Sequence, residues 1–262
     1  MITQKLYTIL RNEKIAPLYY CLAVKAPQLA KKALSGQFVS LLVNEKNLLL
    51  RRPFGVFDCD KDVFRLVYKV VGRGTAALTK LAKGDDVDIL GLLGNGFAVK
   101  RARRHLIVGG GVGISPLFYL AKKIGAPPDT RVFLGGRSKG DLICEKDFKA
   151  LGCVVAVATE DGTKGKKGLV TGLLDADLRK HGGDGVVVYA CGPKGMLKAV
   201  AGIAAEYGAA CQVSLEEYMA CGIGTCMGCV IKIRNEKAEA GFEYRRVCKE
   251  GPVFSAEEII WD

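Results

Sequence analysis

The chain has 262 residues, 49% of them hydrophobic, enough to bury two cores and still leave a small appended module. Its 39 lysines and arginines outnumber 27 acidic residues for a net charge of +12, but the basic groups at Lys100–Arg104 and Lys164–Lys167 carry no interleaved aromatics and no nucleic-acid motif. That argues against a nucleic-acid binder and for solvated faces with an attraction for dinucleotide phosphates, while the absence of a signal sequence or of an apolar run near the roughly 20 residues of a membrane span leads us to expect a soluble, cytoplasmic protein.

In chain order, strand patterns come first: Gln4–Leu10, Tyr19–Val24, Phe38–Val43, Leu48–Leu50, Val63–Val71 and Asp86–Leu90, with one helix-like run at Ala76–Leu81. Their spacing predicts an antiparallel β-barrel over residues 1–101. From His105 the texture changes. Apolar strands at Leu106–Gly109, Arg131–Leu134, Val154–Val157 and Val186–Ala190 alternate with helical stretches at Pro116–Ile124, Asp147–Leu151 and Lys194–Tyr207. This alternation predicts an α/β domain with a parallel, doubly wound sheet over residues 102–212. Residues 213–262 hold two short strand patterns, Val230–Arg234 and Tyr244–Val247, and too little apolar mass to be stable alone; a metal cluster would supply what is missing. The fold class expected is therefore multi-domain.

The cysteines of that last segment carry the strongest chemical signal. Cys221, Cys226 and Cys229 stand in C-x4-C-x2-C spacing and Cys248 follows after 18 intervening residues, the pattern of a plant-type [2Fe–2S] cluster. Four thiolates must converge on two ferric ions, and Gly222, Gly224 and Gly228 let the backbone wrap and aim its N–H groups at sulfur. Zinc prefers two closely spaced pairs, and disulfide frameworks belong to short secreted domains, so both fit the pattern less well. Cys21, Cys59, Cys144, Cys153, Cys191 and Cys211 are scattered and read as small buried hydrophobes.

Two turns and three short barrel stretches point to nucleotides. Gly109–Pro116 follows a strand and opens a helix, so that its glycines let a phosphate approach the helix N-terminus. Counted from Gly111 the pattern is G-x-G-x-x-P, and Leu134-Gly135-Gly136-Arg137 stands where an acidic ribose ligand is expected, which implies either a cousin of the Rossmann domain or a phosphorylated ribose. Cys191-Gly192-Pro193 ends the most apolar strand at the carboxyl edge of the sheet, where ligands of such folds gather; read alone, it is a buried cysteine and a turn. In the barrel, Arg52-Pro53-Phe54-Gly55, Tyr68-Lys69 and Gly74-Thr75 offer a cation and a glycine-flanked hydroxyl for a pyrophosphate and an aromatic or proline face for a flavin. His105 and His181 are the only histidines and lie outside any catalytic motif, and no nucleophile elbow or Walker loop is present, so the difficult chemistry belongs to cofactors.

Taken together, Gly36–Val39, Arg52-Pro53, Tyr68-Lys69, Gly74-Thr75, the loop at 109–116 and Cys191-Gly192-Pro193 fall in the order seen in the ferredoxin reductase superfamily. With Ser214–Cys229 and Val247–Phe254, the chain as a whole closely resembles the family of electron-transfer subunits of NAD-dependent (type 1B) dihydroorotate dehydrogenases. The resemblance implies a relay: a separate FMN-containing catalytic subunit oxidises dihydroorotate, and electrons pass through the [2Fe–2S] cluster and FAD to NAD+. It implies an assembly of two copies of each subunit and no dihydroorotate oxidation by this chain alone. It also implies that Arg52, Pro53, Phe54, Gly55, Val67, Tyr68 and Lys69 line the flavin, with Gly74 and Thr75 at its pyrophosphate. Gly111, Gly113, Ser115, Gly192 and Pro193 would serve the nicotinamide dinucleotide, with Cys191 beside the nicotinamide as the candidate catalytic side chain. Many relatives have serine at the position of Gly55, so any hydrogen bond to the flavin N5 region there would have to come from backbone. Rival readings are a ferredoxin:NADP or sulfide dehydrogenase-type reductase subunit, for which Arg137-Ser138-Lys139 could cradle a 2′-phosphate, and a zinc-stabilised sensor without turnover.

Overall fold

The computed structural model describes residues 2–43, 48–125 and 129–261. In the first part, Thr3–Ala16 forms β1, Tyr19–Lys25 β2, Pro27–Lys32 α1, Phe38–Leu42 β3, Arg52–Asp60 β4, Val63–Lys69 β5, Arg73–Leu78 α2 and Asp86–Leu93 β6. The six strands close into an antiparallel barrel of order β1-β2-β5-β4-β3-β6. β1 closes it by changing partners: Thr3–Thr8 pair with β6, and from Ile9 the strand pairs with β2, with a register shift between Ile9 and Arg11. An extra residue at such a point bends a strand around a barrel corner. Inward positions alternate along β6, where Val87 and Ile89 meet Ile9, Leu22, Val39, Leu41, Phe64 and Leu66 in the barrel core.

The strand expected at Leu48–Leu50 is not one: Leu49 is 90% exposed, and the strand begins at Arg52. Pro53 is tolerated because it lies near the start of β4, and the core contacts come later, from Val56 and Phe57. The interior carboxylate Asp58 is paired with both Arg65 and Lys122, each at 2.8 Å.

The second part runs β7 Arg104–Gly110, α3 Ile114–Ile124, β8 Thr130–Gly136, α4 Glu145–Ala150, β9 Val154–Thr159, β10 Lys166–Lys167, α5 Thr171–His181, β11 Val186–Cys191, α6 Lys194–Glu206 and β12 Ala210–Ser214. Beyond it come β13 Val230–Arg234, β14 Phe242–Arg246 and β15 Val253–Ser255. The large sheet has the order β10-β9-β8-β7-β11-β12-β15, parallel except for β15, which returns antiparallel to β12. β7 and β11 are buried along their whole length, as central strands covered on both faces must be. They are neighbours, yet α3 follows one and α6 the other, so their carboxyl ends open the crevice where ligands of such sheets bind.

α5 lacks a clear apolar stripe because one of its three buried positions is Asp177. That carboxylate bonds Arg104 at 2.8 Å and Arg131 at 2.5 Å, joining the helix to β7 and β8 by ion pairs as well as by Leu174 and Leu178. The cysteine segment carries the two-stranded ribbon of β13 and β14. No helix among the described residues is long and apolar enough to cross a membrane.

Candidate functional site

A cleft of about 580 Å³ lies where the barrel, the crevice of the large sheet and the start of the cysteine segment meet. Arg52, Pro53, Phe54, Gly55, Val67, Tyr68, Lys69, Thr75, Ser115 and Cys191, all proposed from sequence, line it together. β4 and β5 place the barrel residues, and the first turn of α3 contributes Ser115 and Pro116. Its volume and mostly apolar wall with a few polar groups fit a cofactor site.

The barrel side is held by side-chain contacts. Tyr68 donates its hydroxyl to Asn12 at 3.0 Å and stacks on Tyr20, while Phe54 meets its edge at 5.9 Å. Burial pushes the Tyr68 phenol up to about 12, so it stays neutral. A Cβ on Gly74 would come within 3.0 Å of the Arg52 guanidinium, so the guanidinium lies over the first turn of α2. That turn leaves amide N–H groups without helical partners, which together with Arg52 makes a cradle fit for a pyrophosphate. The Thr75 hydroxyl caps its own turn, accepting from the amides of Val71 and Gly72. Gly55 packs against Pro116, and a Cβ there would sit 3.2 Å from the proline Cβ.

Gly74, Gly111, Gly113, Gly192 and Pro193 do not line the cleft itself. The last four form two touching turns at the carboxyl ends of β7 and β11. Gly111 has φ +58°, and a Cβ on Gly113 would lie 2.7 Å from the Cys191 backbone. Apart from its local chain neighbours, no atom of the described residues lies within 4 Å of a Cβ built on Gly111, so the backbone just before α3 is open to close approach by a ligand. Cys191 is buried, and burial first, then the charge of Glu216, pushes its thiol up, so it is a neutral group and no thiolate nucleophile.

Sequence reasoning missed the third wall: Glu216, Glu217, Tyr218 and Met219 line the cleft from the segment after β12. An extended run without glycine or helical period between a strand end and the first cysteine was the available signal. Glu216 is open to the water of the cleft yet ringed by protein, and desolvation raises its pKa.

Two residues past Met219 the thiols begin. Cys221 and Cys226 approach to 3.3 Å between sulfurs, and the Cys248 amide donates to the Cys229 sulfur at 3.5 Å. Burial alone would raise Cys221, but the amides of Cys226, Ile223 and Thr225 point at its sulfur and bring it down to about 6. Gly222 and Gly224 have φ +68° and +81°, the left-handed turns that aim those amides, whereas Gly228 does not need such a φ. Arg246 fastens the loop by donating to the Gly224 carbonyl at 2.5 Å. No set of three or more ligating side chains surrounds one point among the described residues; two pairs of thiols do stand together, a donor set that fits a binuclear cluster with two thiolates on each iron.

A flavin-type barrel, a parallel nucleotide sheet and a thiol module sharing one cleft define an oxidoreductase subunit of the ferredoxin reductase type. The profile for the oxidoreductase NAD-binding domain matches residues 107–202, and that for the iron–sulfur cluster binding domain of dihydroorotate dehydrogenase B matches residues 216–260. The chain belongs to the family of electron transfer subunits of dihydroorotate dehydrogenase B (NAD(+)). It is 43% identical to the subunit of that name from Caldanaerobacter subterraneus subsp. tengcongensis over 253 residues, 97% of each chain. Against that of Bacillus mycoides it is 40% identical, covering 98% of this chain and 99% of the relative. Among solved structures, an NADH-dependent reduced ferredoxin-NADP oxidoreductase studied for flavin-based electron bifurcation superposes with a TM-score of 0.85 at 33% identity, covering 98% of this chain and 91% of that one. A ferredoxin NADP+ reductase from Neisseria gonorrhoeae with bound FAD and NADP shares the fold, with a TM-score of 0.67 at 17% identity, over 78% of this chain and 92% of that one.

Proposed function

We propose that this chain carries electrons from an FMN-containing dihydroorotate dehydrogenase catalytic subunit, through a [2Fe–2S] cluster and FAD, to NAD+ in the pyrimidine biosynthesis of the cytoplasm. The observation that carries the reading is the continuity of the cleft with the thiol pairs. Met219 lines the cleft and Cys221 lies two residues on, at most about 7 Å along the chain.

In this reading residues 1–101 hold FAD, residues 102–212 the nicotinamide dinucleotide and residues 213–262 the cluster. FAD, when bound, supplies the exchange between single electrons and hydride. Arg52 with Gly74 and Thr75 binds the pyrophosphate, while Pro53, Phe54, Gly55, Val67, Tyr68 and Lys69 form the wall against the ring system. Gly111, Gly113, Ser115, Gly192 and Pro193 admit the dinucleotide, and the neutral Cys191 thiol packs beside the nicotinamide without giving up its proton. Cys221 with Cys226, and Cys229 with Cys248, hold the two irons. The catalytic partner docks on the cluster side, two copies of each subunit forming a heterotetramer.

Reconstitution tests this directly. Mixed with an FMN-containing dihydroorotate dehydrogenase subunit, the chain should confer dihydroorotate-dependent NAD+ reduction that neither protein shows alone; full turnover by either one alone would refute the division of labour. A ferredoxin:NADP or sulfide dehydrogenase-type reductase subunit is the second reading, favoured by Arg137 and Lys139, both exposed at the end of β8. Preference for NADPH over NADH in the same assay would support it.

A further inference from the structure

Asp141 belongs to the nucleotide-binding half, on the short 3-10 turn Lys139–Asp141 that follows β8, yet its carboxylate is engaged by the barrel. Its Oδ1 accepts from Lys69 Nζ at 2.8 Å and from the Tyr19 hydroxyl at 2.9 Å. The ammonium also stands 5.0 Å from the centre of the Tyr19 ring. With side-chain exposures of 31% for Lys69 and 17% for Asp141, the pair is partly withdrawn from water and only partly screened.

The carboxylate is held from behind. The Asp141 amide donates to the Ser138 carbonyl at 3.0 Å, the Ser138 hydroxyl accepts from the Gly140 amide, and the Lys139 amide donates to Thr163 at 2.9 Å. The turn also folds back on its own strand, so that a Cβ on Gly136 would lie 2.8 Å from the Asp141 Cβ. Lys69, the last residue of β5, lines the cleft beside Tyr68 and Arg52.

We propose that Asp141 is a positioning residue, supplied by the nucleotide-binding half, that fixes the Lys69 ammonium at the edge of the flavin cleft and balances its charge. The inference rests on the reading of that cleft as the FAD site. Reduction adds negative charge to a flavin, so an uncompensated cation in the cleft wall favours the reduced state and an uncompensated anion disfavours it.

The test is a spectroelectrochemical titration of FAD in the purified holoprotein, run with thermal unfolding on the parent chain and on variants. Asp141→Asn should move the flavin midpoint positive and Lys69→Met should move it negative, while the double variant returns towards the parent and Asp141→Glu stays near it. Shifts of the same sign, or unchanged midpoints with lowered unfolding temperatures, would overturn the assignment and leave a structural tether. If Asp141→Asn does not fold, the Lys69→Met midpoint decides: a negative shift supports the proposal and no shift overturns it. A parent chain that binds no FAD overturns the flavin reading and this inference together, whereas FAD binding with unmoved midpoints overturns this inference alone.

Discussion

Gly113 and the backbone of Cys191 meet so closely that a Cβ on the glycine would lie 2.7 Å from the cysteine carbonyl carbon. At this point the turns after β7 and β11 therefore touch through main chain. The helix start that follows Gly113 is placed by this contact, since Ser115 and Pro116 sit within the next three residues and line the cleft.

Gly113→Ala should accordingly be costly although its φ of −63° suits alanine. The added methyl has backbone in its way, and overpacking of this kind costs about 1–3 kcal/mol. Chemical denaturation should show the loss, and ADP-ribose binding should weaken with it; a variant with parent stability and affinity would contradict the contact.

Cys226→Ser removes one sulfur of the pair at 3.3 Å. Iron and acid-labile sulfide should fall together, with loss of the cluster's visible and paramagnetic signals, while flavin stays bound to the barrel. Retention of the full spectrum would refute the ligand assignment.

Asp177 is 3% exposed and holds Arg104, itself 8% exposed, far in sequence from the cleft residues of the barrel. Asp177→Ala strands a buried guanidinium, a loss of about 3–5 kcal/mol. Urea unfolding monitored by circular dichroism should show it; a change within experimental scatter would mean that the pair is not buried in solution.

Glu216 gives a pH dependence of definite sign. Desolvation raises its folded-state pKa above the ordinary value of 4.5, so the folded chain binds this proton more tightly than the unfolded chain. The group therefore lowers stability progressively as pH rises from its ordinary value through its raised one. Glu216→Gln should match the parent below about pH 4 and exceed it in thermal stability above the raised pKa. A constant difference across the range would show that the carboxyl is fully hydrated.

Where the sequence was legible, physics acts locally. Val186–Cys191 reads as a strand because central parallel strands are apolar throughout, and the C-x4-C-x2-C run reads as a cluster site because its ligands are close in sequence. What stayed hidden depends on distant partners. β4 is obscured by Asp58, which is tolerable only because Arg65 and Lys122 meet it, and α5 by Asp177, which needs Arg104 and Arg131. β15 is three residues long and is a strand only because β12 lies beside it. In the site, the lining by Glu216–Met219 and the pairing of Asp141 with Lys69, 72 residues apart, exist only once the barrel and the sheet are brought together.

In the proposed relay one chain joins a nicotinamide, a flavin and a cluster in series. Anaerobic titration of the isolated chain with NADH, following flavin bleaching by absorbance and the cluster by low-temperature EPR, tests it most directly. FAD should bleach rapidly and the signal of a reduced [2Fe–2S] centre should follow, with NADPH much less effective. Bleaching without any cluster signal in a chain that holds iron and acid-labile sulfide, or no bleaching at all, would contradict it.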